Sequence, residues 1–323
     1  MSIPVYILKR ALQAVPLLFL ISLMAFTMLK VAPVDPLAHL RANPAISQQA
    51  IKDEEERLGL NKPPHIQYYI WLRNLAEGDL GVSTTGGSVF ELLKQRAGNT
   101  LMLSVLTIIA TWLIAIPAGT YAAIHRGKFV DKFFGIVTAM GMSMPTFLSS
   151  LLLLMFALGT GLLPIGGLTS PDFFERDPFG QALDLAHHLI IPVTVLTFFS
   201  LATIQRQMRG SLLDVLRKEY VRTARAKGLS ENIVIYKHAV RNAINPLITL
   251  FGFEFASLLS GSALAEMVLA YPGLGRLTLE GVLTKDMNLV MASIMLGALM
   301  LILGNLVADV LLKVTDPRIS LES

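Results

Sequence analysis

The stretch Gln205–Asn245, QRQMRGSLLDVLRKEYVRTARAKGLSENIVIYKHAVRNAIN, decides how this chain is read. It lies between two long apolar segments and carries nine of the 27 Lys and Arg against three acids, Asp214, Glu219 and Glu231. A basic loop between apolar runs stays on the cytoplasmic side of a membrane. Good helix formers over Ser211 to Ala226 predict a helix ended by Gly228, with Leu212, Val215, Leu216, Glu219, Tyr220 and Thr223 tracing one side. Ser230 then stands as the N-cap of a second short helix, Glu231 to Val240, with Glu231 near its positive end. The stretch reads as a helical hairpin rather than a floppy link. A basic amphipathic helix resting on anionic lipid is the competing reading. A lipid-lying helix gains nothing from a sharp turn, so the break at Gly228 favours a hairpin that another protein grips.

Working outward, the 323 residues are 53% hydrophobic and 15% charged, with mean hydropathy +0.59. Soluble domains carry about a quarter charged residues. The apolar residues fall in blocks of roughly 17 to 25, the length at which a helix crosses a hydrocarbon core of about 30 Å. The short alternating segments of a transmembrane barrel are missing. The fold class is therefore an all-α polytopic membrane protein. With no cysteine, the chain has neither disulfides, thiolate metal sites nor cysteine nucleophiles. The net charge of +4 does not point to nucleic acid, because the bases cluster where membrane topology places them.

Six transmembrane helices follow from the apolar blocks. Ala11 to Leu29, preceded by Lys9 and Arg10, is longer than a secretory signal core and reads as a retained first span. A polar region from Ala32 to Gly98 is too long for a simple link. It offers an acidic helix, Ser47 to Leu58, stopped by Gly59, and a second, His65 to Leu75, with Ile66, Tyr69, Ile70 and Trp71 at helical spacing. Further spans are expected at Thr100–Ile124, kinked at Pro117, at Phe133–Leu158, bent at Pro145, and at Leu189–Ile204. The last two are Pro246–Leu269 and Leu289–Leu312. Inner segments hold 16 Lys and Arg against six acids; outer ones, counting Lys30 and Glu266, hold 11 against 15. That asymmetry places both termini inside.

The sequence lacks a G-x-x-x-x-G-K-[ST] phosphate loop, so the chain has no recognisable means of binding ATP itself. It also lacks the H-E-x-x-H metal pair and the G-x-S-x-G elbow. No metal ligands are assigned: His187 and His188 project about 100° apart on a helix and read as interfacial residues. Glu254, about nine residues into the fifth span, is costly there and so functional or paired. Asp309, with Lys313 one turn on, reads as a structural ion pair. Gly252/Ala256 and Ser257/Gly261 are small-x-x-x-small pairs that suit tight helix crossing.

The run Glu219-Tyr220-Val221-Arg222-Thr223-Ala224-Arg225-Ala226-Lys227-Gly228-Leu229-Ser230, followed by His238-Ala239-Val240-Arg241-Asn242-Ala243 and Pro246, resembles the cytoplasmic loop of ABC-transporter permeases. More narrowly it resembles the B-type permease of the dipeptide/oligopeptide/nickel branch. Of the general loop pattern, the alanine Ala224 and Gly228 fit, and the departures are those of the peptide branch. Pro33-Val34-Asp35-Pro36, Leu58-Gly59-Leu60-Asn61-Lys62-Pro63, Gly78-Asp79-Leu80-Gly81, Glu266, Tyr271-Pro272-Gly273-Leu274-Gly275-Arg276 and Asp316-Pro317-Arg318 extend the resemblance over nearly the whole chain.

The resemblance implies a type I ABC importer permease fold in a bacterial inner membrane. The amino terminus and first span would occupy 1–31, a small extracytoplasmic domain 32–98, and a permease core 99–323 whose coupling loop is 205–245. It implies solutes such as di- and oligopeptides, with nickel or glutathione-like solutes as alternatives in the same family. Partners would be a second, C-type permease, two ATPases that hold ATP and Mg, and an extracytoplasmic binding protein; this chain would bind no cofactor. By carry-over, Ala224, Ala226, Lys227, Gly228, Leu229, Ser230, Glu231, His238 and Arg241 would meet an ATPase. Glu254 and Ser257 are candidates for the substrate pathway, where Glu254 would meet a peptide amino terminus or cationic solute; pairing with a neighbouring helix or the partner permease is the other reading. An autonomous secondary transporter is the alternative from another class.

Overall fold

The computed structural model describes residues 3–32, 37–41, 46–57, 59–84, 86–261 and 263–315. The motifs at Pro33–Pro36 and Asp316–Arg318, and Leu58 of the next one, lie outside these residues. In chain order the helices are α1 (Ile3–Val31), α2 (Ala38–Arg41), α3 (Gln48–Arg57), α4 (Pro64–Ala76), α5 (Val89–Ile124), α6 (Phe129–Ser143) and α7 (Thr146–Thr160). There follow α8 (Pro178–Val215), α9 (Glu219–Ala226), a π-helical segment Ile233–Val240, α10 (Arg241–Ala243), α11 (Asn245–Gly261), α12 (Ala263–Val268), α13 (Leu274–Leu283) and α14 (Met287–Thr315). Four of them, α1, α5, α8 and α14, are long and apolar enough to cross a membrane, and α6 with α7 makes up to five. The expected fifth span, 246–269, is divided between α11 and α12.

The α5–α8 pair is the most extensive contact of the bundle. Small buried residues recur along α5 at Ser104, Thr107, Thr111, Ala115, Ala118, Gly119 and Ala122 and let α8 come close. A Cβ on Gly119 would sit 2.7 Å from the carbonyl oxygen of Gln205 and 2.8 Å from Cβ of Met208, so only glycine fits that crossing. Ala115, Ala123, Ile204, Met208, Leu212, Ala239, Ala243 and Leu247 continue this core toward the hairpin end. A second core joins α5, α7, α8, α11 and α12 through Leu103, Ala157, Val195, Leu196, Leu258 and Ala265.

Three expected boundaries move, each for a local reason. The span at 133–158 is two helices meeting at 103°. Pro145 has no N–H to donate and holds Met144 extended (φ −93°, ψ 119°), so the helix stops rather than kinks. The span at 189–204 is the middle of a 38-residue helix. Asp177 caps its start by accepting from the Gly180 N–H at 3.2 Å, and Pro178 occupies the first turn. At its other end Gln205–Val215 stays helical because Met208 and Leu212 are fully buried, while Arg206 points outward. Finally, α5 begins at Val89, so the last ten residues of the expected outer domain are its first turns.

In the outer region α3 ends before Gly59, whose φ of +64° is the left-handed stop that glycine allows. The buried stripe of α4 differs from the expected one. Trp71 packs with Phe26, Ala25, Val290 and Met291, supported by Tyr68, Leu72 and Leu75, whereas Ile66 and Tyr69 are exposed. Tyr68 shares a 2.8 Å hydrogen bond with Ser22. Asp286 gathers Ser83 Oγ at 2.5 Å and the N–H of Thr84 at 2.7 Å, tying the segment after α4 to the start of α14.

Asp309 is paired across helices. It accepts from Tyr6 Oη at 2.5 Å and from Arg10 Nη2 at 3.1 Å, which clamps α14 to α1. Of the small pairs, Gly252 is a true crossing point: its absent Cβ would lie 3.0 Å from Cα of Asn305 on α14. Ser257 is exposed. His187 Nε2 and His188 Nδ1 lie 3.0 and 2.9 Å from the carbonyls of Leu162 and Asp184.

Candidate functional site

The hairpin is built from α9, the turn at 227–230 and the π-helical segment. Lys218 begins α9 from extended backbone, so the expected helix from Ser211 to Ala226 is broken at 216–218. Its inner face is then Val221 and Ala224 rather than Glu219, Tyr220 and Thr223, which are exposed. Val221, Ala224 and Val234 form a small core roofed by Val215 and Leu216. Gly228 (φ +77°) turns the chain: its N–H donates to Arg225 O at 2.9 Å, and Leu229 N–H to Ala224 O at 3.4 Å. A side chain at Gly228 would meet open space, so the requirement there is backbone angle alone.

The expected helix Glu231–Val240 is present, wound as a π-helix from Ile233. Ser230 contributes its carbonyl, which accepts from the Val234 N–H at 3.1 Å. Val234, Ile235 and Ala239 face inward. Ala226, Lys227, Gly228, Leu229, Ser230, Glu231 and Arg241 are all exposed, His238 is half-buried, and Ala224 faces the hairpin's own core. Leu229, Ile233 and Tyr236 add apolar surface, 38%, 43% and 59% exposed, beside the turn. A polar turn with an apolar flank is what a protein partner can desolvate.

Besides the Arg222–Glu219 pair within α9, two ion pairs between elements fix this hairpin, and neither was evident from spacing. Arg225 clasps Glu231 across the turn (Nε–Oε2 3.1 Å, Nη2–Oε1 2.6 Å). The Arg225 hydrogen bonds hold the Glu231 carboxyl below the usual carboxylate range. A lowered folded pKa means the clasp contributes fully above the ordinary value and is lost only as pH falls through the lowered one. Both side chains are exposed, so Glu231→Gln should change thermal stability by under about 1 kcal/mol. The check is thermal unfolding of wild type and variant at pH 7.

The second pair is bidentate. Arg209 on α8 donates to Asp131 through Nε at 2.5 Å and Nη2 at 2.8 Å, and Asp131 also accepts from the Gly127 N–H at 2.9 Å. Asp131 is 9% exposed, so the short turn 125–128 is pinned to the helix that carries the hairpin. Asp131→Ala should lower stability by about 1–2 kcal/mol, since it removes the bidentate acceptor from a guanidinium that water still reaches. Denaturant unfolding of the purified protein measures it.

The other predicted site residue, Glu254, lies on α11. Its Oε2 accepts from Trp112 Nε1 at 3.0 Å. Its Oε1 is buried and makes no well-formed hydrogen bond among the described residues, although Ser200 lies alongside. Phe199, Ser200, Thr203, Leu250, Phe253 and Ser257 surround it, lining a cavity of about 200 Å³. Glu254 and Ser257 therefore share one cavity. Trp112 and Ser200, on α5 and α8, were missed because nothing in sequence spacing links them to α11.

The chain is a helical bundle whose long apolar helices flank an exposed hairpin. Two family models match it: the binding-protein-dependent transport system inner membrane component over residues 115–321, and the N-terminal part of the corresponding membrane component over residues 4–86. The chain belongs to this family: it is the permease subunit of a binding-protein-dependent ABC importer, an inner-membrane transport component rather than an enzyme. It is 37% identical to the oligopeptide transport system permease protein AppB of Bacillus subtilis, over 97% of this chain and 98% of that one. It is 35% identical to the di/tripeptide transport system permease protein DppB of Pseudomonas aeruginosa and to the glutathione transport system permease protein GsiC of Escherichia coli, each over 97% of this chain and 98% of the relative. Among solved structures, a chain of the inward-facing MetNI methionine ABC transporter shares the fold, with a TM-score of 0.56 and 18% identity over 70% of this chain and 97% of that one.

Proposed function

We propose that the chain forms half of the translocation pathway of an importer for di- and oligopeptides, and that ATPase motion enters it through the hairpin around Gly228. The observation that carries the coupling reading is the turn itself. Residues 226–231 stand exposed on a short α9–π-helix unit whose inner face is packed, so a push on the turn moves α8 and α11 together. The peptide reading is supported by the relatives named for oligopeptides and di/tripeptides. Glutathione, itself a small peptide, is the nearest alternative; nickel solutes follow only from the branch resemblance.

In this reading six spans cross the membrane with both termini cytoplasmic. The bent α6–α7 pair and the α11–α12 pair would supply the two spans beyond α1, α5, α8 and α14, and the charge asymmetry supports that orientation. The outer domain, 32–98, receives an extracytoplasmic binding protein. A homologous C-type permease completes the pathway, and two ATPase subunits carry ATP and Mg. Ala226, Lys227, Gly228, Leu229, Ser230, Glu231, His238 and Arg241 meet the ATPase, while Ala224 supports the turn from within. Glu254 and Ser257 line the pathway. ATP-driven closure then biases a two-state bundle between inward-open and outward-open forms.

Reconstitution into proteoliposomes tests this. With companion permease, ATPases, binding protein and ATP, labelled dialanine should accumulate; omission of the ATPases should abolish uptake. Uptake by this chain without any ATPase would favour an autonomous secondary transporter instead.

A further inference from the structure

We infer that the cavity around Glu254 is a binding site for the protonated amino terminus of a peptide in transit; the inference rests on the peptide-importer reading above and deepens it. The chemistry starts from cost. A carboxylate at mid-span is expensive unless a partner or water compensates it. Here the indole of Trp112 satisfies Oε2 and orients the group, while Oε1 is left buried without a well-formed hydrogen bond. Beyond the Ser200 hydroxyl alongside, Oε1 can take a further donor, and a positively charged one would return the most in a low-dielectric setting.

The surroundings fit such a donor. Ser200, Thr203 and Ser257 put hydroxyls around the same cavity and can accept the remaining N–H groups of an ammonium. Trp112 stands edge-on to Phe251 at 5.9 Å between centroids, and Phe251 stacks with Phe255 at 6.2 Å, so the indole is held in place. The face that opens here is unlike the lipid face of the bundle. Thr203 and Ser257 are exposed on it, beside Phe199, Phe253 and a carboxylate, whereas the exposed positions of α1 carry no acid and are apolar apart from Lys9, Gln13 and Thr27. Exposed hydroxyls beside a carboxylate belong to a water-lined passage rather than to lipid.

Size sets what the site can read. About 200 Å³ is below the roughly 300–1,000 Å³ of pockets that enclose a whole drug-sized ligand. It holds the end of a peptide, and the amino terminus is the one cationic group that peptides of any sequence share. A pathway that grips only this end discriminates free from blocked peptides without choosing among side chains.

The test uses the complete importer in proteoliposomes. Dialanine or N-acetyl-dialanine is loaded inside, where it reaches the inward-open cavity without the binding protein, and ATP-driven uptake of labelled dialanine from outside is measured. Internal dialanine should slow wild-type uptake, and N-acetyl-dialanine should not. Glu254→Gln should lower uptake roughly tenfold or more, as loss of a charge-assisted bond implies, and abolish the difference between the two internal peptides. Glu254→Asp, which keeps the charge, should retain that difference. Equal inhibition of the wild type by free and blocked dialanine would overturn the site, as would unchanged uptake in Glu254→Gln. Absence of any dialanine uptake by the wild type would instead remove the peptide-importer reading beneath it.

Discussion

Gly228→Pro should uncouple ATP hydrolysis from uptake while leaving the amount of membrane-inserted protein unchanged. Gly228 sits at φ +77° and proline is fixed near −65°, so the turn cannot be kept. Proline also deletes the N–H that donates to Arg225 O. Gly228→Val is the softer form of the experiment: a left-handed conformation costs an L-residue about 1–2 kcal/mol, and no neighbour within 4 Å would add a clash. Either change re-aims the segment 229–240 relative to α9. Uptake should fall about tenfold or more, the effect of a shift of only about 1.4 kcal/mol in a coupling equilibrium. Wild-type uptake per ATP hydrolysed by Gly228→Pro would show that the angle of this turn carries no force.

Glu266→Ala should have the largest effect on stability. The carboxylate is 1% exposed and accepts from the Arg276 N–H at 2.8 Å in the first turn of α13. Thr100 on α5 donates to it at 3.4 Å and accepts from the Leu274 N–H at 2.7 Å. Asn99 reaches Pro272 O at 2.9 Å, and the Tyr271 hydroxyl reaches Asn99 O at 2.7 Å. Gly273 is required because its Cβ would fall 2.3 Å from the Glu266 carboxyl carbon. Alanine at 266 removes the N-terminal acceptor of α13 and opens a cavity beneath it, a cost of about 2–4 kcal/mol. Hydrogen exchange of the amides in 274–283 should speed up, and unfolding should begin several degrees lower. Unchanged exchange there would mean that α13 is held by its apolar face alone.

What the sequence made legible was whatever depends on neighbours along the chain. The apolar runs behind α1, α5 and α14, the stop at Gly59 and the break at Gly228 rest on composition and on glycine's backbone freedom, and they stand in the structure. The long α8 was misread because Arg206 and Arg209 signal a loop by charge, while Met208 and Leu212 on the other face keep the helix buried. Spacing along α14 reaches only the neighbours of Asp309 within its own helix. Tyr6 and Arg10, some 300 residues distant, meet that carboxylate once α1 packs on α14. In α4, Ile66, Tyr69 and Ile70 share a helical period, but only the Tyr68–Trp71–Leu75 side has α1 and α14 to pack on. Glu254 was legible as costly; its donor, Trp112, belongs to α5 and needs the fold.

The claim that the ATPase grips the hairpin can be tested by contact. The chain has no cysteine, so single substitutions need no prior removal of thiols. In the assembled importer, Leu229→Cys and Tyr236→Cys should cross-link through a short bifunctional reagent to an ATPase subunit, and Phe174→Cys, 89% exposed on the loop before α8, should not. Cross-linking at 229 and 236 that changes in yield when ATP is added is the predicted result. Failure of both positions to reach any ATPase, in a complex that still transports, would contradict the account.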